Sequence, residues 1–294
     1  MDPFEETWIA TNGVRLHTIL AGPPQGPLVI LLHGFPEFWR GWIHQIGPLA
    51  QAGFRVAVPD QRGYNLSDVP RGVEAYRLET LTADICGLAD ALGRREFMLA
   101  GHDWGALVAW STALTVPGRV RRLAILNVPH PAVMSSFLRK DPRQMLKSWY
   151  IAFFQIPLLA EWLLERREFG GALAMLRASG KAGTFTSQDL EAARQAYRNS
   201  GGLRGMIHWY RALARYRPTV SGNLRLRMPV RILWGKQDSA LRFEMAQASL
   251  EYCDDGRLTL YEQATHWVQH DEAQAVHEEL IRFFSAQDAQ PAAN

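Results

Sequence analysis

Asp103 sits at the centre of Gly101-His102-Asp103-Trp104-Gly105, directly after the apolar run Phe97 to Ala100 and before a helical stretch. A carboxylate with a reference pKa of ~3.9 is ionised at neutral pH and can attack saturated carbon without help from a base. A nucleophile held on a sharp strand-to-helix turn needs small neighbours, because the backbone there is crowded. Glycines two residues to either side, and then Ala106, supply them. Asp also tolerates the left-handed backbone of such a turn better than most residues. The same Asp could merely cap the following helix, and the pentapeptide alone leaves both readings open. No G-x-S-x-G occurs, which argues against a serine esterase or lipase. There is no Walker A sequence and no G-x-G-x-x-G after the first strand. His277-Glu278-Glu279-Leu280-Ile281 lacks the second histidine of H-E-x-x-H. No metal or cofactor is expected.

The elements that must position the turn can be read in order. Two extended stretches flank Asn12-Gly13, a hairpin pair. Leu28 to Leu32 is a continuous apolar run, as expected of a strand buried on both faces. A helix near Gly41 to Ala52, a strand Phe54 to Val58, a helix Leu78 to Leu92 and the strand Phe97 to Ala100 follow. A helix through Leu114 and a strand Val120 to Leu126 complete a β-α rhythm that implies a parallel sheet wrapped by helices. From His130 to about Arg227 the patterns are helical. The rhythm resumes with Val230 to Trp234, a helix Glu244 to Glu251, a strand Leu258 to Tyr261 and a last helix Glu272 to Phe284. The expected organisation is an α/β core over 1–129 and 228–294, with a helical unit over 130–227 inserted between two strands. The end, AQDAQPAAN, reads as a frayed tail.

Composition excludes several classes. With 294 residues, 47% hydrophobic and 21% charged, the chain is neither disordered nor fibrous. No apolar run approaches the ~20 residues that span a bilayer. The start, MDPFEETWIA, places acids where a signal peptide needs positive charge. Two cysteines, Cys86 and Cys253, cannot build a disulfide framework. A cytoplasmic protein with reduced thiols is expected. The net charge is +3, yet His130 to Val220 holds 14 Lys or Arg against 6 Asp or Glu. A nucleic-acid surface would interleave such bases with stacking aromatics along one face. Arg166-Arg167 and Arg211/Arg215 read instead as solvated helix faces, and no nucleic-acid partner is expected. The basic excess would suit anionic or amphipathic substrates.

At this point the chain resembles the α/β-hydrolases, and within them the epoxide hydrolases and haloalkane dehalogenases that use an aspartate nucleophile. His33-Gly34-Phe35-Pro36 is similar to the family's H-G-x-P loop, and Asp60-Gln61-Arg62-Gly63-Tyr64-Asn65-Leu66-Ser67-Asp68 to its D-x-R-G-x-G-x-S-D loop. Asn65 replaces the second glycine, tolerable because Asn also visits positive φ. The resemblance implies Asp103 as nucleophile, Asp238 of Trp234-Gly235-Lys236-Gln237-Asp238 as triad acid, and His266 of Thr265-His266-Trp267 as base. It also implies an oxyanion hole from the backbone N–H groups of Phe35 and Trp104. In the inserted lid, Tyr150-Ile151-Ala152-Phe153-Phe154-Gln155 resembles the first epoxide hydrolase tyrosine motif. His208-Trp209-Tyr210-Arg211 resembles the second, with His208 in place of Asn.

The leaving group separates the subclasses. A halide departs without a proton, whereas an epoxide oxygen leaves as an alkoxide and needs an acid, which a tyrosine can supply. Tyr150 and Tyr210 together favour the epoxide hydrolase. Haloalkane dehalogenases remain the alternative, through Trp104 and a second donor from Trp149, Trp162 or Trp209. Fluoroacetate dehalogenases fit poorly, since Trp104 and Leu107 stand where they carry arginines. A non-catalytic binding module on the same fold is the third reading, because fold alone does not fix function. Phe35, Trp104, Phe153 and Phe154 are expected to touch substrate. Leu158, Leu159, Trp162 and Leu163 are expected to complete a cavity for an apolar or aromatic epoxide.

Overall fold

The computed structural model describes residues 4–216 and 224–286. Strands β1 (Glu5–Thr11) and β2 (Val14–Ala21) form the expected antiparallel hairpin. Asn12 and Gly13 take φ of +43° and +77°, the two left-handed residues that a tight two-residue turn needs. Then come β3 (Leu28–Leu32), α1 (Ile43–Gln51), β4 (Arg55–Pro59), α2 (Leu78–Ala91), β5 (Phe97–His102), α3 (Trp104–Thr115) and β6 (Val120–Leu126). Among the described residues six helices follow: α4 (Pro131–Lys140), α5 (Pro142–Lys147), α6 (Trp149–Phe153), α7 (Leu159–Ser179), α8 (Ser187–Asn199) and α9 (Arg204–Arg215). The chain then returns through β7 (Val230–Gly235), α10 (Glu244–Ser249), β8 (Gly256–Tyr261), α11 (Val268–Asp271) and α12 (Ala273–Ser285). The tail from residue 287 lies outside the described residues.

Among the described residues one sheet holds eight strands, in the order β1-β2-β4-β3-β5-β6-β7-β8. β2 is antiparallel to β1 and β4, and every pairing from β4 through β8 is parallel. The pleat explains the unbroken apolar runs. Leu28, Ile30 and Leu32 of β3 enter a core with α2 and α3, while Val29 and Leu31 enter another with α1 and α12. Both faces of β3 are therefore dry, as a parallel strand covered by helices requires. The first of these cores continues into the helical insertion through Phe154, Leu164, Tyr197 and Trp209. Among the described residues, no helix is long and apolar enough to cross a membrane.

Two readings of the insertion change. Arg166-Arg167 does not lie on a regular helix face. It is exposed at a break inside α7, where Arg167, Glu168 and Phe169 all take positive φ. Arg211 is buried rather than solvated, while Arg215 is exposed as expected.

Candidate active site

The C-terminal ends of β3, β5, β6, β7 and β8 lie side by side, the edge at which open α/β sheets bind ligands. Phe35 follows β3, Asp103 follows β5, Asn127 follows β6, Asp238 follows β7 and His266 follows β8. His102 pairs with Leu126, and Leu126 with Leu233, so Asp103 and Asn127 leave the sheet at one level. Asp103 has φ +50° and ψ −123°, a conformation that costs a non-glycine residue of order 1–3 kcal/mol. It is held there by close packing that only glycine allows. A Cβ on Gly105 would stand 2.2 Å from the Leu32 carbonyl oxygen, and one on Gly34 would stand 2.3 Å from the Asp103 Cβ. The Phe35 loop can thus lie directly on Asp103.

That approach makes a bond. The Phe35 backbone N–H donates to Asp103 Oδ1 at 2.7 Å. His266 Nε2 lies 3.5 Å from Asp103 Oδ2, and its Nδ1 lies 2.7 Å from Asp238 Oδ2. Asp238 is fully engaged. Its Oδ1 accepts from the Ala240 and Leu241 N–H groups at 2.7 and 2.8 Å, and Asn127 Nδ2 donates to its Oδ2 at 2.8 Å. Burial disfavours charge on both carboxylates, but the His266 ring outweighs it and holds each below its ordinary pKa. Burial likewise opposes charge on His266, yet Asp238 and Asp103 together lift it to about 10. The three residues form a carboxylate–imidazolium–carboxylate row in which Asp103 alone is partly accessible.

Behind His266 lies a second buried layer. Burial, and then the charge on His266, lowers His102 to about 4, so its ring is neutral. Its Nε2 lies 2.8 Å from the His266 carbonyl oxygen, and its Nδ1 lies 3.2 Å from the Gln269 amide nitrogen. The tautomer that donates from Nε2 fits both contacts. Glu37, from the loop after Phe35, binds His270 at 2.6 Å and accepts from the Gln269 amide at 3.2 Å. The His266 loop is therefore braced against the same loop that carries Phe35.

The insertion supplies an aromatic roof. Tyr210 packs edge-on against Trp104 at 4.7 Å and Phe35 at 5.4 Å, and Tyr150 packs on Tyr210 at 6.1 Å. Phe154 completes the group, 4.7 Å from Tyr210 and 5.4 Å from Phe35. Half-buried Phe153 packs on Trp149 and Phe154 at its outer edge. Burial, and then the negative charge of Asp103, pushes both tyrosine hydroxyls well above the usual phenol range. Both therefore keep their protons.

The two tyrosine segments are locked together. Gln155 donates to the Tyr210 carbonyl at 3.2 Å, and Arg211 donates to the Phe154 carbonyl at 3.0 Å. Arg211 also grips Glu161 with two bonds of 2.5 and 3.0 Å. Trp209 gives its indole N–H to the Arg62 carbonyl at 3.1 Å, tying this roof to the Asp60–Asp68 loop. Asn65 in that loop takes φ +43°, as an Asn in a glycine position can. These bonds overturn two expectations. Trp209 is committed, and Trp149 and Trp162 are 65% and 58% exposed, so none of the three is placed as a second halide donor. Leu158 and Leu159 are exposed as well and do not line the site.

A family model of the alpha/beta hydrolase fold matches residues 27–273. The chain belongs to the alpha/beta hydrolase family. An AB hydrolase superfamily protein of Bacillus subtilis is 39% identical over 98% of this chain and 100% of its own length. Epoxide hydrolase 4 of Mus musculus is 36% identical, over 91% of this chain and 76% of its own. The crystal structure of a Bacillus megaterium epoxide hydrolase in complex with an inhibitor superposes with a TM-score of 0.88 at 32% identity. That match covers 95% of this chain and 100% of the other. Within its family, this hydrolase therefore groups with the epoxide hydrolases.

In this hydrolase, two contributors escaped sequence reasoning. Asn127 both steadies Asp238 and accepts from the Gly235 N–H at 3.1 Å. Its one sequence signal is its place directly after a core strand. The other is Glu161, the buried partner of an Arg211 that the sequence reading places on a solvated face. Removing one partner of a buried pair strands the other, at a cost of about 3–5 kcal/mol. Arg211→Met should accordingly lower the unfolding free energy read from denaturant titration by that amount, and adding Glu161→Met should recover most of the loss. A single variant as stable as the parent would show that the pair does not hold the roof.

Proposed function

We propose that this hydrolase converts epoxides to vicinal diols through an ester on Asp103. The observation that carries the reading is the packing of Tyr210 on Phe35 and Trp104, and of Tyr150 on Tyr210, beside the carboxylate that Phe35 and His266 hold. The Asp103 carboxylate attacks a ring carbon and the C–O bond breaks, leaving the electron pair on oxygen. Tyr150 or Tyr210 protonates that oxygen. Their own timing helps, because the Asp103 charge that raised their pKa is spent in forming the ester. The same loss removes one of the two carboxylates that raise His266, so its proton can pass to the phenolate.

Neutral His266 then takes a proton from water, whose oxygen attacks the ester carbonyl. The oxyanion rests on the Phe35 N–H and on that of Trp104, the residue after the nucleophile. Collapse expels the diol oxygen, which takes the proton from His266. Asp103, freed as an acid, returns a proton to His266 and restores the starting row. Phe35, Trp104 and Phe154 present an apolar wall that suits an apolar or aromatic epoxide.

Two tests follow from these steps. Tyr150→Phe with Tyr210→Phe should slow ring opening by roughly 10²–10⁴-fold, and each single change by less, since both donors serve one oxygen. Stopped-flow alkylation with styrene oxide reads this directly, and an undiminished rate in the folded double variant would remove the acid. Hydrolysis of the ester should instead rise with pH, because it needs neutral His266. Its midpoint should fall below about 10, the free-enzyme value, since Asp103 is then uncharged. A hydrolysis rate that falls as pH rises would contradict the role given to His266.

A further inference from the structure

Seven of the eleven exposed large apolar side chains among the described residues fall within eighteen consecutive positions. They are Met145, Leu146, Trp149, Ile156, Leu158, Leu159 and Trp162, with Leu158 at 77% and Leu146 at 75% exposure. They run through α5, α6 and the first turn of α7. Each of these elements also turns a side inward: Gln144 is buried in α5, Tyr150 of α6 joins the roof, and Ala160 and Leu164 are buried in α7. The apolar face is thus the outward side of packed helices. Soluble monomers rarely leave so much large apolar surface together without a use for it.

Its charge is mainly positive. The exposed charged residues between 139 and 168 are the cations Arg139, Lys140, Arg143, Arg166 and Arg167 and one acid, Glu168, which pairs with Arg198. The other acids of the same stretch are occupied. Asp141 pairs with Arg242, Glu161 with buried Arg211, and Glu165 accepts from the Leu203 N–H at 2.7 Å. Arg166 lies 5.3 Å over the Trp162 ring, joining the cationic and apolar parts. Tryptophan and leucine side chains rimmed by Lys and Arg are what an interfacial element presents to a bilayer with anionic headgroups.

We propose that this face of the insertion docks on an anionic lipid bilayer, seating the apolar side chains at the acyl boundary and the five cations among the headgroups. A second copy of the chain fits less well, because a two-fold contact would set one basic face against another. Single-stranded nucleic acid also fits less well, since five of the seven side chains are aliphatic and offer no stacking face. α6 carries Trp149 outward and Tyr150 inward, so docking brings lipid within about one helix diameter, ~10–12 Å, of the site. Delivery of a lipid-dissolved epoxide rests on the function proposed above, whereas docking does not.

Flotation of the full chain with vesicles of phosphatidylcholine alone, or mixed with phosphatidylglycerol, tests this. Binding should require phosphatidylglycerol and should be lost at about 1 M salt, where the Debye length is roughly 3 Å. The triple variant Leu146→Ser, Leu158→Ser, Trp162→Ser should bind ~10-fold or more weakly, as should Arg139→Glu, Lys140→Glu, Arg143→Glu. Both should keep the parent melting temperature and its diol release from a water-soluble epoxide. Parent binding to phosphatidylglycerol vesicles without diol release would sink the proposed function and leave docking intact. Diol release without vesicle binding would sink docking alone. Equal binding by parent and variants would place any lipid contact elsewhere. A parent dimer in sedimentation that the apolar variant dissolves, with no vesicle binding, would give the face to a second copy.

Discussion

His266→Gln should still open an epoxide but should release diol slowly, by roughly 10²–10⁴-fold. The reason lies in the order of the two steps. Asp103 is already ionised and needs no base, whereas water attacking its ester does. Glutamine keeps a polar side chain beside Asp238 but cannot take a proton at neutral pH. Its loss also leaves Asp238 without the imidazolium, although Asn127, Ala240 and Leu241 still satisfy both carboxylate oxygens. The site should therefore survive the change. In a rapid-quench experiment one equivalent of epoxide should disappear quickly, followed by a slow release of diol. Equal slowing of both phases would mean that His266 acts in ring opening too.

Asp103→Asn should have the larger effect on turnover, a loss of more than ~10⁴-fold, because the proposed ester forms on the Asp103 carboxylate. A neutral amide is a poor nucleophile for saturated carbon. Asn is also among the few residues that accept the positive φ found at this position, so the variant should fold. One consequence can be read without any substrate. His266 would lose the charge of one of its two carboxylates, and its pKa should fall from about 10. Histidine NMR titration of the variant measures that fall. Slow deamidation would restore both activity and the raised pKa together. Full activity before any deamidation would remove Asp103 as the nucleophile.

Much of this site could be read from the chain because its signals are local. Leu28 to Leu32 reads as a doubly buried strand, and Gly101 to Gly105 reads as a crowded turn, from neighbours alone. The parts that stayed hidden depend on distant partners. Asn127 matters only because β6 lies between β5 and β7, which brings Asp238 beside it. Arg211 looked like a surface cation because Glu161, fifty residues earlier, gives no hint of meeting it. The lid side chains expected to line the cavity, from Phe153 to Leu163, divide. Phe154 turns in, while Leu158 and Trp162 turn out. Composition could not tell those sides apart, since short helices broken by Pro157 carry no sustained period.

The most direct measurement of the central claim is the intact mass of His266→Gln quenched during a single turnover with styrene oxide. The protein should gain the whole mass of the epoxide, because ring opening expels nothing, and peptide mapping should put that mass on Asp103. Combined with Asp103→Asn, the gain should vanish. A parallel sample with a haloalkane should show no comparable trapping, since Trp209 is committed to the Arg62 carbonyl and Trp149 and Trp162 are exposed. An epoxide adduct on any other residue, or rapid trapping of the haloalkane with loss of its halide and none of the epoxide, would contradict the chemistry assigned to this site.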